Sequence, residues 1–400
     1  MAAEARSARD GWKEPTGRCL VLLCASVNSY PLLILYLSVI SLKELKELFL
    51  KLVEVGAPSG FEEPMMEVMK AELKPLVDEV HDTPRGNVVG VKRGTDPKAP
   101  SVALVAHMDQ VGFLVFNIDD RGFIRFRKIG GAVTRAIEGQ QMRLLTRKGP
   151  IVGVVGMKPG HITKPEEANI VPPIEEMYID IGARSRGEAV KMGVEIGTPI
   201  VWNAKPVELA NDLIAGPGVD DNGGCAAVIA VARALKAEKI PATVYFVGSV
   251  EEETGLRGAG TVLYDLDVDM AVALDTFPAG YQPDVVMRDL FYEIGKGPGI
   301  HVAHVSRGET IVDHNRLRRW LVETAERNGI PYQMGVMHGG TDAMAIMQTK
   351  GGIPAITLGL PRRYSHSPVE VFDLNDLSNI VKILVAAIKG LDASFSTHRV

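Results

Sequence analysis

Four short runs of apolar residues, rich in valine and other β-branched residues, constrain the fold of this 400-residue chain more than any other feature of its sequence. The runs are SVALVAH (101–107), TVYFVGSV (243–250), MAVALD (270–275) and PAITLGL (354–360). Near-continuous apolar runs of this length are typical of strands that are buried on both faces of a sheet. Amphipathic helical patterns lie between them, at residues 223–239 and 312–329. The alternation predicts an α/β fold, in which helices cover both faces of the sheet.

Residues 109–205 carry a different pattern. Short strand-like segments such as GFLVFNI and GFIRFRKIGG are separated there by glycine, proline and charged turns, and helical periodicity is weak. We therefore predict a small β-rich domain at residues 109–205, inserted into an α/β domain that comprises residues 41–108 and 206–400.

The N-terminal 40 residues are predicted to lie outside the α/β domain. Residues 19–42 contain no charged side chain, as in a membrane anchor or a signal peptide, although Pro31 and its neighbours interrupt the apolar run. The next segment, SLKELKELFLKLVEV, is amphipathic and begins with a capping box of Ser41 and Glu44. This start signal places the domain boundary near Ser41. Two interpretations of residues 1–40 remain open: a targeting or anchoring segment, or an extension that takes no part in the working protein.

Charge and cysteine content argue against two classes of site. A formal net charge of −5 and a pI near 6.0 give no electrostatic reason to expect nucleic acid, which proteins bind through its phosphates. Cys19, Cys24 and Cys225 are odd in number and lack metal-type spacing, so we expect neither a disulfide framework nor a thiolate zinc site. A metal ion in this protein would be held by histidine, aspartate and glutamate.

Side chains able to bind metal ions stand at the ends of the predicted strands or on the turns that follow. They are His107, Asp109, Asp220, Asp221, Glu251, Glu252, Glu253, Asp275 and His366. The carboxyl ends of parallel strands form the usual ligand site of an α/β sheet. Any one of these residues, taken singly, is more often a turn residue or a helix cap. Together, however, so many carboxylates would repel one another unless cations neutralised them.

Two divalent metal ions would provide that neutralisation. Histidine and carboxylate ligands without thiolates suit zinc, cobalt or manganese. In two-metal hydrolases the ions share a bridging carboxylate, and a separate carboxylate moves the proton. The pattern therefore favours a metal-dependent hydrolase.

Six motifs, in their order and spacing, resemble those of the tetrahedral (TET-type) aminopeptidases, family 42 of the metallopeptidases. They are AHMDQVGFLV, GVDDNGG, EEETGLRGA, ALDT, GGTDA and RYSHSPVE, and the resemblance covers about residues 41–390. It implies a zinc-exopeptidase fold, a mixed sheet with helices on both faces and an inserted small β-barrel-like domain. It also implies hydrolysis of short peptides with a free N-terminus, and self-association through residues 109–205 into dimers, with dodecamers in many members.

The resemblance implies a set of metal ligands in this chain. His107, Asp220 and Asp275 would hold one ion, and Asp220, Glu253 and His366 would hold the other. Asp220 would then bridge the two ions, and zinc is the metal we expect, with cobalt or manganese as alternatives.

Two further roles follow from the same resemblance. Glu252 would be the general base that takes a proton from the attacking water and passes it to the leaving amine. Asp109 would accept a hydrogen bond from His107 and so fix the tautomer of that imidazole. Glu251 is predicted to be a bystander, because neighbouring residues of an extended strand point to opposite faces.

Several other residues receive no catalytic or metal-binding role. Gln110 and Asn222 replace the Glu and Arg that the family favours, so they bear on specificity without removing a ligand. Five further histidines are interpreted as surface or loop residues: His161, His301, His304, His314 and His338.

The functional prediction is a cytoplasmic metal-dependent aminopeptidase, or an anchored or exported one if residues 1–42 act as a targeting segment. One alternative is a related two-metal amidohydrolase that deacylates N-acyl amino acids, since its metal ligands would be nearly the same. A scaffolding protein without activity is disfavoured, because all the predicted ligands and Glu252 are present.

Overall fold

Strands and helices alternate along most of the chain, and strands predominate between residues 112 and 202. The computed structural model describes residues 40–288, 290–306 and 308–399. The strands are β1 (Glu79–Asp82), β2 (Val88–Lys92), β3 (Val102–His107), β4 (Gly112–Ile118), β5 (Ile124–Ile129), β6 (Gln141–Thr146), β7 (Gly149–Val155), β8 (Ile179–Asp180), β9 (Pro199–Trp202), β10 (Val207–Glu208), β11 (Leu213–Gly216), β12 (Val244–Ser249), β13 (Met270–Pro278), β14 (Gly299–Ser306), β15 (Glu309–Val312), β16 (Gln333–His338), β17 (Ala355–Arg363) and β18 (Glu370–Asp373). The α-helices are α1 (Leu42–Val55), α2 (Glu63–Leu73), α3 (Arg186–Met192), α4 (Val219–Leu235), α5 (Arg257–Asp265), α6 (Asn315–Arg327), α7 (Asp342–Ile346) and α8 (Leu374–Lys389).

The four apolar runs form the parallel centre of a mixed sheet. The strand order is β1-β2-β12-β3-β13-β17-β18-β11-β10, and β12, β3, β13 and β17 run parallel to one another. β14 pairs with β17 and also with β15 and β16. The carboxyl ends of the parallel strands therefore meet along one edge, where the predicted site residues lie.

Alternate residues of these strands pack against helices on opposite faces of the sheet. In β3, Val102 and Leu104 belong to the core beneath α1, α2, α4, α6 and α8. Ala103 and Val105 pack instead with α5 and α7. Burial on both faces explains why the run is apolar throughout rather than alternating.

A closed barrel interrupts the α/β chain, in the order β4-β5-β8-β7-β6-β9. Its interior includes Phe113, whose ring makes edge contacts with Phe126 and Trp202 at centroid distances of 5.5 and 5.0 Å. The predicted fold class, α/β with an inserted barrel, is thus confirmed. The division of the chain at residues 109 and 205 stays a prediction, although the barrel strands fall within it.

Most of the predicted N-terminal segment, residues 1–39, lies outside the described residues. Among the residues that the structure does describe, none of the helices combines the length and apolar character needed to cross a membrane. An anchor at residues 19–42 therefore stays a prediction.

The first described helix begins as its sequence predicts. Ser41 accepts a hydrogen bond from the amide of Glu44, and the Glu44 carboxylate accepts one from the amide of Ser41. Behind this cap, Phe49 is fully buried and its ring lies 4.8 Å from that of Phe372. The cap thus fixes the start of a helix that packs on the central core.

Replacing Ser41 with alanine is expected to lower the free energy of unfolding by about 1 kcal/mol, the usual cost of losing an N-cap side chain. Chemical denaturation of the two proteins measures the difference. Lys43→Ala is the matched control, because Lys43 is exposed in the same turn and its nearest carboxylate, on Glu47, is 3.9 Å away. Equal stability of the Ser41 and Lys43 variants would show that the capping box contributes nothing.

Candidate functional site

Histidine and carboxylate side chains from five parts of the fold converge at the edge of the parallel strands. His366 lies between β17 and β18. His107 is the last residue of β3, and residues 251–253 follow β12. Asp220 lies in the first turn of α4, which follows β11. The position of Asp275 in its strand differs from the prediction, because β13 does not end at this residue. It continues to Pro278, since its pairing with β17 extends to Arg362.

The first triad comprises His107, Asp220 and Asp275. One ligand atom of each lies within 4.8 Å of the other two, and all three residues are buried. Nε2 of His107 is 3.1 Å from Oδ1 of Asp220. Nδ1 of the same ring lies 2.9 Å from the main-chain oxygen of Asp109. This contact leaves Nε2 facing the carboxylates.

The second triad comprises Asp220, Glu253 and His366. Nε2 of His366 is 3.2 Å from Oδ2 of Asp220 and 3.4 Å from Oε1 of Glu253. Asp220 thus contributes one carboxylate oxygen toward each imidazole. On its other side, Nδ1 of His366 lies 3.3 Å from the main-chain oxygen of Gly131, in the inserted segment. A Cβ at residue 131 would come within 2.9 Å of that nitrogen, so a glycine permits the approach.

Glu252 lies beside the first triad and faces a cavity. The cavity has a volume of about 490 Å³ and is also lined by Glu253, Leu256, Met344 and the β14–β15 hairpin. Burial raises the pKa of Glu252 well above its usual value, and the nearby charges of Asp275 and Glu253 raise it further. A carboxyl group with this environment holds a proton readily.

Asp109 organises the backbone of the neighbouring loop. Its carboxylate accepts hydrogen bonds from the amides of Glu252 and Glu253, at 3.0 and 3.2 Å, and from the hydroxyl of Ser59. The carboxylate is 3.6 Å from Nδ1 of His107, which makes its hydrogen bond to the main-chain oxygen of Asp109 instead. The predicted contact between the two residues is present, but the accepting atom differs, because the carboxylate is engaged by the loop.

Glu251 points away from both triads. Its backbone has a φ of 55°, in the left-handed region, which turns the chain between residues 250 and 252. Its carboxylate pairs with Arg85 at 2.8 Å and with Arg257 at 3.7 Å. The turn explains why three consecutive glutamates point in different directions. The carboxylates of Glu252 and Glu253 line the cavity, and that of Glu251 does not.

The sequence analysis did not single out Arg362 and Glu370, which belong to the same site. The guanidinium of Arg362 donates to the carboxylates of Asp220 and Glu370 and to the hydroxyl of Thr276. Arg362 and Glu370 are both buried. A signal was present, because an arginine that follows an apolar run directly inside a buried strand needs a carboxylate partner.

Positive and negative groups shift one another's protonation in this site. Burial would raise the pKa of Asp220, but Arg362, His107 and His366 outweigh it and hold that pKa well below its usual value. Burial would lower the pKa of His366, but Asp220 and Glu253 raise it to about 9. Burial, and then Asp220, raise the pKa of Asp275 well above its usual range. The carboxylates crowd together without enough cationic side chains to neutralise them.

Known proteins are similar to this chain in both sequence and fold. The family model for the M42 glutamyl aminopeptidases matches residues 86–383. A lysyl aminopeptidase of Pyrococcus furiosus is 34% identical over 351 residues, which are 86% of this chain and 97% of that protein.

Solved structures agree with this relationship. The aminopeptidase APDkam598 of the archaeon Desulfurococcus kamchatkensis has a TM-score of 0.84 and 35% identity, over 88% of this chain and 96% of that one. The Pyrococcus horikoshii TET1 peptidase, which can assemble into a tetrahedron or a large octahedral shell, has a TM-score of 0.76 and 32% identity over 88% of this chain and all of that one. The resemblance to TET-type aminopeptidases is thereby confirmed. The chain belongs to the M42 glutamyl aminopeptidase family and is an aminopeptidase, a hydrolase that acts on peptide bonds.

Proposed function

We propose that this protein removes N-terminal residues from short peptides with the help of two divalent metal ions. The observation that carries the proposal is the pair of overlapping triads that share Asp220. One ion would be held by His107, Asp220 and Asp275, and the other by Asp220, Glu253 and His366. The two oxygens of the Asp220 carboxylate face the two different imidazoles, as a bridging ligand requires.

The donor atoms fit a pair of divalent ions. Oε1 of Glu253 is buried and has no hydrogen-bond partner among the residues that the structure describes. Carboxylates and imidazoles without a thiolate match zinc, and they also match cobalt or manganese. When bound, such ions polarise a substrate carbonyl and lower the pKa of water.

Glu252 would move the proton in the reaction. Its carboxylate lines the cavity next to Glu253, where the scissile bond of a bound peptide would lie. It would take a proton from the attacking water and deliver it to the departing amine. Asp109 would position Glu252 by accepting the hydrogen bond from its amide. Burial excludes bulk water, which would otherwise compete for that proton.

The site favours an exopeptidase. A free α-amino group carries a positive charge at neutral pH and would be attracted by the carboxylates around the triads. An N-acylated substrate lacks that charge. We therefore favour peptides with a free N-terminus over the N-acyl amino acids of a deacylase.

Location and assembly are further parts of the proposal. We propose a cytoplasmic enzyme that self-associates through residues 109–205, as a dimer or a dodecamer. The assembly of the Pyrococcus horikoshii TET1 peptidase into a tetrahedron or a large octahedral shell supports self-association, as do apolar side chains exposed on the barrel, such as Phe116, Val152 and Val154.

Removal of metal is expected to abolish hydrolysis, and zinc, cobalt or manganese should restore it. The measurement is the rate on a panel of aminoacyl-p-nitroanilides, before and after treatment with a chelator and after each metal is added back. N-acetylated versions of the same substrates are the matched control and should not be cleaved.

Two outcomes would contradict this proposal in different ways. Full activity after complete chelation would exclude the two-metal mechanism. Turnover of N-acyl amino acids, without turnover of any aminoacyl substrate, would replace the aminopeptidase with a deacylase.

A further inference from the structure

A second group of metal-competent side chains lies outside the two triads. It comprises His301 and His304 on β14 and Asp313, which follows β15. One ligand atom of each residue lies within 4.8 Å of the other two. His301 and His304 are fully buried and Asp313 is nearly so. The interpretation of these histidines as surface or loop residues is therefore wrong, because β14 lies inside the sheet system rather than at its surface.

A β-bulge brings the two imidazoles together. Residues three apart in a regular strand point to opposite faces. In β14, however, the register of its pairing with β16 shifts between His301 and Ala303, so that Val302 has no partner residue in β16. The extra residue turns the strand, and both rings face the same buried space, with their centroids 5.2 Å apart. Bulges commonly redirect a side chain in this way next to functional sites.

Several polar atoms around the two rings lack a hydrogen-bond partner among the described residues, although Nε2 of His304 lies 3.3 Å from the hydroxyl of Thr357. They include both ring nitrogens of His301, Nδ1 of His304 and the phenolic oxygen of Tyr292. Burying a polar atom without a partner is destabilising. His301 alone has two such atoms. A ligand that imidazole nitrogens can bind would give these atoms a partner.

The Asp313 carboxylate is oriented toward the imidazoles. Oδ1 lies 3.1 Å from Nε2 of His304, and Oδ2 accepts a hydrogen bond from the amide of Thr357 at 3.2 Å. A simple ion pair between His304 and Asp313 would explain this contact. It would not explain His301, which lacks a partner and whose pKa is lowered well below its usual value by burial and then by the charge of His304.

We propose that His301, His304 and Asp313 bind a divalent metal ion, with zinc as the best match, separate from the pair at Asp220. Two neutral imidazoles and one carboxylate are common zinc ligands. Two ligand atoms at about 2.0–2.1 Å from a tetrahedral ion lie roughly 3.3 Å apart, close to the observed 3.1 Å. The amide of Thr357 holds the carboxylate as an outer partner of a metal ligand does.

The location suggests what this ion would do. The cluster lies where the β14–β15 hairpin meets β17, and Ser306, Glu309 and Ile311 of that hairpin line the cavity beside Glu252. An ion held by His301, His304 and Asp313 would fasten both strands of the hairpin at its base. It would thereby fix one wall of the cavity without contacting the reacting atoms.

The test is the zinc content of the full-length protein. Wild-type, His301→Gln and Asp313→Asn proteins are equilibrated with zinc, freed of excess ion by gel filtration and measured by mass spectrometry. We expect each variant to hold one zinc ion per subunit fewer than the wild type. His314→Gln is the matched control, because His314 is buried and adjacent to Asp313 but outside the cluster. It should keep the wild-type content. Equal zinc content in all four proteins would overturn the proposal.

A second measurement does not depend on the folding of any variant. Crystals of the wild-type protein grown with zinc should give an anomalous peak, at the zinc absorption edge, between His301, His304 and Asp313. Density for water alone at this position, with no anomalous signal, would overturn the proposal. Neither result depends on peptide hydrolysis, so the proposal can fail while the proposed function stands.

Discussion

Replacing Glu252 with glutamine is expected to lower kcat by about 1,000-fold, within the 100- to 10,000-fold that a positioned general base contributes. The glutamine keeps the size and polarity of the side chain but cannot hold the transferred proton. KM should change little, because substrate contacts along the rest of the cavity remain. Steady-state kinetics on an aminoacyl-p-nitroanilide measures both constants, and metal content and circular dichroism should match the wild type.

Glu251→Gln is the matched control for this prediction. The two glutamates are adjacent, yet the carboxylate of Glu251 pairs with Arg85 and Arg257 on the other side of the turn. A partly exposed ion pair contributes at most about 1 kcal/mol, so kcat should stay within about twofold. If Glu251→Gln were inactive and Glu252→Gln active, the assignment of these glutamates would be displaced by one residue.

Features that are encoded locally could be predicted from the sequence. The run at 101–107 is apolar throughout because both faces of β3 are covered, and the run therefore identified a central strand directly. The capping box at Ser41 and Glu44 located the start of α1 in the same way. The order of the six motifs indicated the candidate ligands, which no single motif could, and the structure brings these residues together in two triads.

Features that depend on distant contacts could not be predicted. Arg362 and Asp220 are 142 residues apart in sequence. They meet because β17 pairs with β18, and β18 pairs with β11, the strand that precedes α4. The pairing of β13 with β17 likewise extends β13 beyond Asp275, where the predicted strand ends. The bulge at Val302 is equally invisible, because it arises from the register of β14 against β16. The sequence therefore showed which residues could react, but not how buried charges compensate one another.

Asp220→Asn is expected to lower activity by about 1,000-fold or more. It should also lower the metal content at both triads. Asp220 belongs to both triads, so one substitution weakens two sites, and a lost metal ion costs several kcal/mol of transition-state stabilisation. The melting temperature should also fall, because Arg362 would keep Glu370 but lose the charge of its other carboxylate partner. Zinc analysis, kinetics and thermal denaturation measure these effects.

The substitution Asp221→Asn tests whether the bridging ligand is Asp220 or its neighbour Asp221. Oδ1 of Asp221 accepts a hydrogen bond from the amide of Gly224 at 2.8 Å and so caps the helical part of α4. Asparagine can accept the same bond, and caps helices as well as aspartate does. We therefore expect Asp221→Asn to retain metal and most activity. If Asp220→Asn kept its metal while Asp221→Asn lost it, the bridging ligand would be Asp221, and the contacts of Asp220 with His107 and His366 would serve only to balance charge.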